Sequence, residues 1–237
     1  MKENKLLRGL CVLTAALMLG LTGCASSSDA NGSDAQSQAD TAEVQSAWTE
    51  LDQTTITKEM GMGWNLGNQL EASNAGIPSE TTWGNPTISE DLIKAVKEQG
   101  FKTVRIPVSY LDKIGAAPDY TIDSAWLDRV QEVVDYVVGN DLYAIINIHG
   151  DGYYTVDKSW LRCVDDNQDE IKDKYEKVWA QIADRFKDYD QHLIFESMNE
   201  ESDNTYGKPN ATGYENINAY NQIFVDTVRK TGSNNEK

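Results

Sequence analysis

From Trp48 to the end of the chain, short apolar runs alternate with longer stretches in which apolar residues recur every three or four positions. The first kind fits strands, and the second fits helices with one buried face. Gly61 to Asn68 (GMGWNLGN) holds a short apolar strand bounded by glycine. Over 87–99, Ile88, Leu92, Ile93 and Val96 share a helical face. Thr87 and Glu90 form a capping-box pair there, and Gly100 stands where a C-terminal cap belongs. Thr103 to Val108 (TVRIPV) predicts a second strand. A helix follows over about 125–138, with Trp126, Val130, Val133, Val134 and Val137 on its buried stripe, Asp123 as its cap and Gly139 at its end. Leu142 to Ile148 (LYAIINI) is nearly all apolar, as expected of a strand covered on both faces. A long loop runs from His149 to about Asp169. Ile171, Tyr175, Val178, Ile182 and Phe186 then mark a third helix, and Leu193 to Phe195 opens a fourth strand. Ile217, Tyr220, Phe224 and Val228 mark a fourth helix, closed by Gly232.

This βαβαβαβα order calls for an α/β fold with a parallel sheet and helices outside it. An open doubly wound sheet and a TIM (β/α)₈ barrel are the competing architectures. The sequence holds no G-x-G-x-x-G or Walker pattern, which removes support for the phosphate-binding doubly wound families. Asn68, Arg105, His149, Asn199 and Glu200 fall instead at or near the C-terminal ends of their strands. Barrel enzymes place their chemistry there. The expected fold is therefore a TIM barrel, of which this chain supplies about the first four βα units.

The first 50 residues follow other rules. Lys2, Lys5 and Arg8 precede an apolar run from Leu10 to Leu21, which is too short to span a bilayer comfortably. Leu21-Thr22-Gly23-Cys24 then resembles the bacterial lipobox, in which the cysteine becomes the lipidated first residue. Residues 1–24 are expected to be a lipoprotein signal, the alternative being a plain secretory signal cut near Cys24. Either way the protein is expected to be exported, as a cell-surface lipoprotein or an extracellular protein. Residues 25–50 are rich in Ser, Asp and Ala and nearly devoid of large apolar side chains, so they predict a disordered tether. The folded domain is expected over 51–237.

Composition narrows the partners. With 38 acidic and 21 basic residues the net charge is −17, which argues against a nucleic-acid partner. Once the signal is set aside, Cys163 stands alone, so no disulfide framework is available. Two histidines and one unpaired cysteine, far apart in sequence, make no zinc site, and no metal or cofactor is implied.

Several segments are similar to glycoside hydrolase family 5, the cellulase family of clan A. GWNLGN at 63–68, WGNP at 83–86, TVRIPV at 103–108, INIH at 146–149 and LIFESMNE at 193–200 resemble its motifs, in order. The resemblance implies a retaining endo-β-1,4-glucanase acting on a β-glucan poly- or oligosaccharide: cellulose, mixed-linkage glucan or xyloglucan, with mannan or xylan close behind. It implies that Glu200 is the general acid/base and that Asn199 contacts the sugar 2-hydroxyl. Arg105 would orient the nucleophile, and His149 would bond a sugar hydroxyl or the nucleophile's surroundings. Asn68, Trp83 and Tyr154 are candidate substrate contacts, within a wider aromatic set of Trp64, Tyr153 and Trp160. Trp126 and Trp179 lie on helical stripes and are expected in the core.

Two departures stand out. Gly150 occupies the position where many relatives carry a second histidine, and Glu201 follows Glu200 where proline is usual. The Glu201 change is expected to be tolerable, since that proline shapes a loop and does no chemistry. The family's nucleophile is a second glutamate near the end of its seventh strand, so the chain is expected to be an incomplete catalytic domain, inactive alone. A non-catalytic carbohydrate-binding lipoprotein, or an inactive fragment, is the alternative.

Overall fold

The computed structural model describes residues 49–236. The signal, the lipobox Cys24 and the tether up to residue 48 lie outside the described residues.

Four parallel strands form the central sheet, in the spatial order β1 (Gly63–Asn65), β4 (Thr103–Ile106), β5 (Tyr143–Asn147), β6 (Leu193–Glu196). Each neighbour in space is thus the next sheet strand in sequence, as in a barrel. A small antiparallel ribbon, β2 (Ser73–Asn74) with β3 (Ile77–Pro78), intervenes after β1. The helices are α1 (Gln53–Met60), α2 (Glu90–Glu98), α3 (Ser124–Val138), α4 (Gln168–Phe186) and α5 (Ala211–Lys230).

The strand alternation sorts side chains onto two faces. Val104, Ile106, Ala144 and Ile146 are fully buried in one apolar core with the stripes of α2, α3 and α4. The other face carries Asn65, Arg105, Asn147 and Glu196. Register brings these together, since Asn65 lies beside Arg105 and Asn147 beside Glu196. This polar inner face is what the site is built on.

The helix ends follow capping chemistry. Asp123 accepts from the Trp126 amide at 2.9 Å and starts α3 as expected. At α2 the cap is Ser89, which accepts from Leu92 N at 3.3 Å, two residues after the expected Thr87. The carboxylate of Glu80 takes the Ile88 amide instead, so the chain is still entering the helix there. Gly100 adopts φ +92 beyond α2, as its capping position requires. Sequence periodicity gave no sign of α1, which buries none of its own residues. Its signal was Asp52, whose carboxylate accepts from the amides of Thr54 and Thr55.

Packing between α4 and α5 fixes the last strand. Trp179 and Tyr175 of α4 are fully buried, and Trp179 sits edge-on to Phe224 of α5 at 4.6 Å. Both α4 side chains donate to one carbonyl, Ser197 O, at 3.1 Å from the Trp179 indole and 2.8 Å from the Tyr175 hydroxyl. Two buried donors on one acceptor leave the chain little freedom just past β6. Asn199 and Glu200 follow immediately.

Candidate active site

The centre of the site is a bidentate ion pair. Arg105 projects from β4 and donates from Nε to Glu196 Oε2 at 2.7 Å and from Nη2 to Glu196 Oε1 at 2.6 Å. The same guanidinium reaches Asn199 Oδ1 at 2.9 Å and Asn65 Oδ1 at 3.1 Å. Its planar fork is thus shared among β1, the end of β6 and the loop beyond it. Glu196 also accepts from Asn147 Nδ2 at 3.1 Å. Burial alone would raise the Glu196 pKa, but the Arg105 and Asn147 hydrogen bonds outweigh it and hold the group below its usual value.

His149 lies over this network. Asn147 Nδ2 stands 3.4 Å from His149 Nδ1, and donation in that direction selects the neutral tautomer with hydrogen on Nε2. Burial first, and the Arg105 charge second, lower the His149 pKa to about 4. At neutral pH it is an uncharged donor.

Tyr153 joins the two residues of the Asn-Glu pair. Its hydroxyl accepts from Asn199 Nδ2 at 2.5 Å and donates to Glu200 Oε2 at 3.2 Å. The ring also meets His149 edge-on at 6.3 Å. Gly150 makes this reach achievable. It adopts φ +83, which a histidine would hold only under strain, and it starts the turn that returns Tyr153 over the strand ends. Gly150 and Tyr153 are thus parts of one local turn, closed by Tyr153 N on Gly150 O at 3.2 Å.

Asp151 pins the same loop from beneath. It is fully buried and accepts from Tyr110 N at 3.1 Å, Ser109 Oγ at 3.2 Å and Trp160 Nε1 at 2.7 Å. Its backbone carbonyl receives the amides of Trp160 and Leu161, both at 2.9 Å. Burial raises its pKa to about 7 against these bonds.

Four of the expected catalytic residues, Arg105, His149, Asn199 and Glu200, therefore meet in one network. Asn68 and Trp83 lie at the β1 end of the sheet. Asn68 adopts φ +65, and its carbonyl accepts from Asn85 Nδ2 at 2.9 Å. Trp83 is 54% exposed and donates from its indole to Ser73 O at 2.9 Å. Tyr154 is half-buried, with its hydroxyl on Asp165 at 3.1 Å and the Arg162 guanidinium 4.9 Å above its ring. Among the described residues no hydrogen bond or ring contact links Tyr154 to the Arg105 network. Trp160 is tied to Asp151 and is packed against the core, as are Trp126 and Trp179. Among the described residues no group of three His, Cys, Asp or Glu is placed to hold a metal.

Glu201 lies on the loop after β6 and turns inward, with Oε2 buried and without a hydrogen-bond partner. A Cβ at Gly152 would collide with its carboxylate, so a larger residue there would push the Glu201 side chain aside. Burial first, and the neighbouring Asp151 second, raise its pKa to about 9. A carboxyl group with a raised folded pKa gives stability that is complete below the unfolded value and is lost as pH climbs to the folded one. Stability should therefore fall between about pH 4.5 and about pH 9, with Asp151 acting in the same sense up to about 7. Glu201→Gln should flatten that slope and stabilise the fold by about 1–3 kcal/mol near pH 7–8. Urea unfolding of both proteins across this range is the check. An unchanged slope would locate the pH dependence elsewhere.

Comparison with known proteins bears on this arrangement. The cellulase family model, glycosyl hydrolase family 5, matches residues 68–236. The chain is 62% identical over 180 residues to endoglucanase A of Paenibacillus barcinonensis, covering 76% of this chain and 45% of that protein. Among solved structures it is similar to a family 5 xyloglucanase from Paenibacillus pabuli in complex with ligand. There the identity is 63%, the TM-score 0.75, and the coverage 76% of this chain and 50% of that one. It is also similar to a broad-specificity endoglucanase from Ruminococcus champanellensis with bound cellotriose. In that case the identity is 43%, the TM-score 0.74, and the coverage 81% and 57%. The chain spans about half the length of the relatives it matches. Its four parallel strands and outer helices are part of a TIM barrel.

Proposed function

Since the chain belongs to the cellulases of glycosyl hydrolase family 5, we propose that it is the acid/base-bearing part of a retaining endo-β-1,4-glucanase. The single observation that carries this reading is the linked set Glu196–Arg105–Asn199–Tyr153–Glu200 at the strand ends. It holds a carboxyl group and an amide side by side, both exposed to a substrate from the polar face.

Retaining hydrolysis needs two carboxyl groups about 5–5.5 Å apart. Glu200 gives its proton to the leaving glycosidic oxygen and later takes one from the incoming water. Asn199, fixed by Arg105 on its carbonyl oxygen and by Tyr153 on its nitrogen, is oriented for the 2-hydroxyl of the sugar under attack. That contact strengthens as the oxocarbenium-like transition state forms. Neutral His149 presents Nε2–H as a donor to a sugar hydroxyl. Arg105 contributes positive charge beside the attacking group. The attacking carboxylate itself is not assigned among the described residues. Glu196 is occupied by three donors and Glu201 is buried. We place it in the part of the barrel that this chain does not span.

The relatives' sugars support the proposed substrate class. One similar structure holds cellotriose, and another similar protein is a xyloglucanase. Both point to a β-1,4-glucan backbone, with Trp83 and Asn68 at one end of the binding face. The test has two arms. Alone, the chain should bind cello-oligosaccharide without releasing reducing sugar. Joined to the second half of the Paenibacillus pabuli barrel, it should hydrolyse soluble cellulose or xyloglucan. A completed, folded barrel that cuts neither polysaccharide would refute the glucanase reading.

We further propose that the protein is exported and held to a membrane by a lipid on Cys24. The positive start, the apolar run and Leu21-Thr22-Gly23-Cys24 support this. Growth with a labelled fatty acid should tag the protein, and a Cys24→Ser variant should be untagged. An untagged parent would rule the anchor out.

A further inference from the structure

Tyr206 is a large aromatic side chain left 51% exposed on the loop after β6, six residues beyond Glu200. It is held there by a local turn and by its hydroxyl. Its backbone adopts φ +58, a region that a bulky L-residue rarely enters. A turn built on Asp203 keeps it in place. Asp203 Oδ1 accepts from Thr205 N at 2.8 Å, Thr205 Oγ1 at 2.7 Å and Gly207 N at 2.7 Å, while Tyr206 N donates to Asp203 O at 3.1 Å. The Tyr206 hydroxyl is tied to Thr155 on the preceding loop, so the ring is anchored at both ends. One edge of the ring meets Tyr153 at 6.4 Å between centroids. Tyr153 is the residue whose hydroxyl spans Asn199 and Glu200.

Given the glucanase reading, on which this inference rests, we propose that Tyr206 is the aromatic platform for the sugar unit on the leaving-group side of the scissile bond. Asn199 marks the sugar that is attacked, and Glu200 marks the oxygen joining it to the next. Tyr206 lies one ring beyond, past Tyr153. The sheet order places it at the β6 end, away from Asn68 and Trp83 at the β1 end. A β-glucan running between the two ends would therefore meet an aromatic face on either side of the acid/base. Pyranose rings offer apolar C–H faces, and a tyrosine that is already fixed covers one at little entropy loss. The hydroxyl bond to Thr155 holds the ring in place and leaves its apolar face for the sugar.

Binding of cellotetraose, measured by calorimetry on the whole chain carrying Glu200→Gln, tests the assignment without turnover. Tyr206→Ala should weaken binding by about three- to tenfold. Tyr206→Phe keeps the ring and should keep most of the affinity. If Tyr206→Ala binds as tightly as its parent, the platform is overturned and the glucanase reading stands. If the folded parent binds no cellotetraose at all, the platform is overturned, and hydrolysis by the completed barrel decides the glucanase reading separately. If Phe and Ala weaken binding equally, the ring face is not the contact, and the platform assignment fails.

Discussion

Glu200→Gln in the completed barrel should lower kcat on soluble β-glucan by about 10²–10⁴-fold, the range that a general acid/base supplies. Affinity for cello-oligosaccharide should change little. The amide matches the carboxyl group in size, and its oxygen still accepts from the Tyr153 hydroxyl, 3.2 Å from Oε2 in the parent. What it lacks is a transferable proton, so the loss falls on the chemical step rather than on binding. Reducing-sugar release and calorimetry on the same preparation separate the two quantities. A kcat within a few-fold of the parent would remove Glu200 from the mechanism.

Glu196→Ala should be felt both in stability and in rate. The parent carboxylate takes three charge-assisted or amide hydrogen bonds, two from Arg105 and one from Asn147. Removing it leaves the guanidinium half-buried without its counter-ion. The side chains of Arg105 and Glu196 are 27% and 31% exposed, so water screens part of the loss. About 1–3 kcal/mol at pH 7 is expected. The sign with pH is fixed by the lowered Glu196 pKa. Such a group contributes stability above its unfolded value near 4.5, and that contribution is lost as pH falls through the folded value. Parent and variant should therefore converge in acid. Rate should suffer too, because Arg105 also positions Asn199, and small displacements at a reacting centre cost up to about 10²-fold. Urea midpoints at neutral and acid pH provide the test. A constant gap between the two proteins would show that the ion pair is not its source.

The sheet was legible because its signal is periodic. The apolar run 142–148 contains β5, and TVRIPV contains β4, since a strand buried by helices on one face leaves few polar residues to confuse it. Arg105 and Asn199 could be singled out because polar residues at strand ends have no structural reason to cluster. Glu196 escaped notice for the opposite reason. It ends an apolar strand, where one acid reads as a boundary. Only its pairing with Arg105, 91 residues earlier, gives it meaning. The partners of Tyr153 and the burial of Glu201 were not legible, because loops carry no period. Tyr153 meets its partners across 46 and 47 residues, and Glu201 is buried by a chain reversal at Gly150 and Gly152. The glycines were the available hint, since two in three residues within a catalytic loop announce tight backbone turns.

Cys163 lies on the same long loop as Tyr153, between β5 and α4. It is fully buried, with its thiol on Ser202 O at 3.4 Å and its own carbonyl accepting from Asn216 of α5 at 2.9 Å. Burial, and then the neighbouring Glu201, push its pKa up to about 11, so the thiolate needed for alkylation is scarce even where a reagent could enter. With Cys11 and Cys24 replaced, its alkylation would keep time for one event, the parting of the catalytic loops from α5. That gives the molecule a single-site clock for local opening, readable by mass without a substrate. A sugar that clamps those loops shut would slow the clock in proportion to how firmly it holds them.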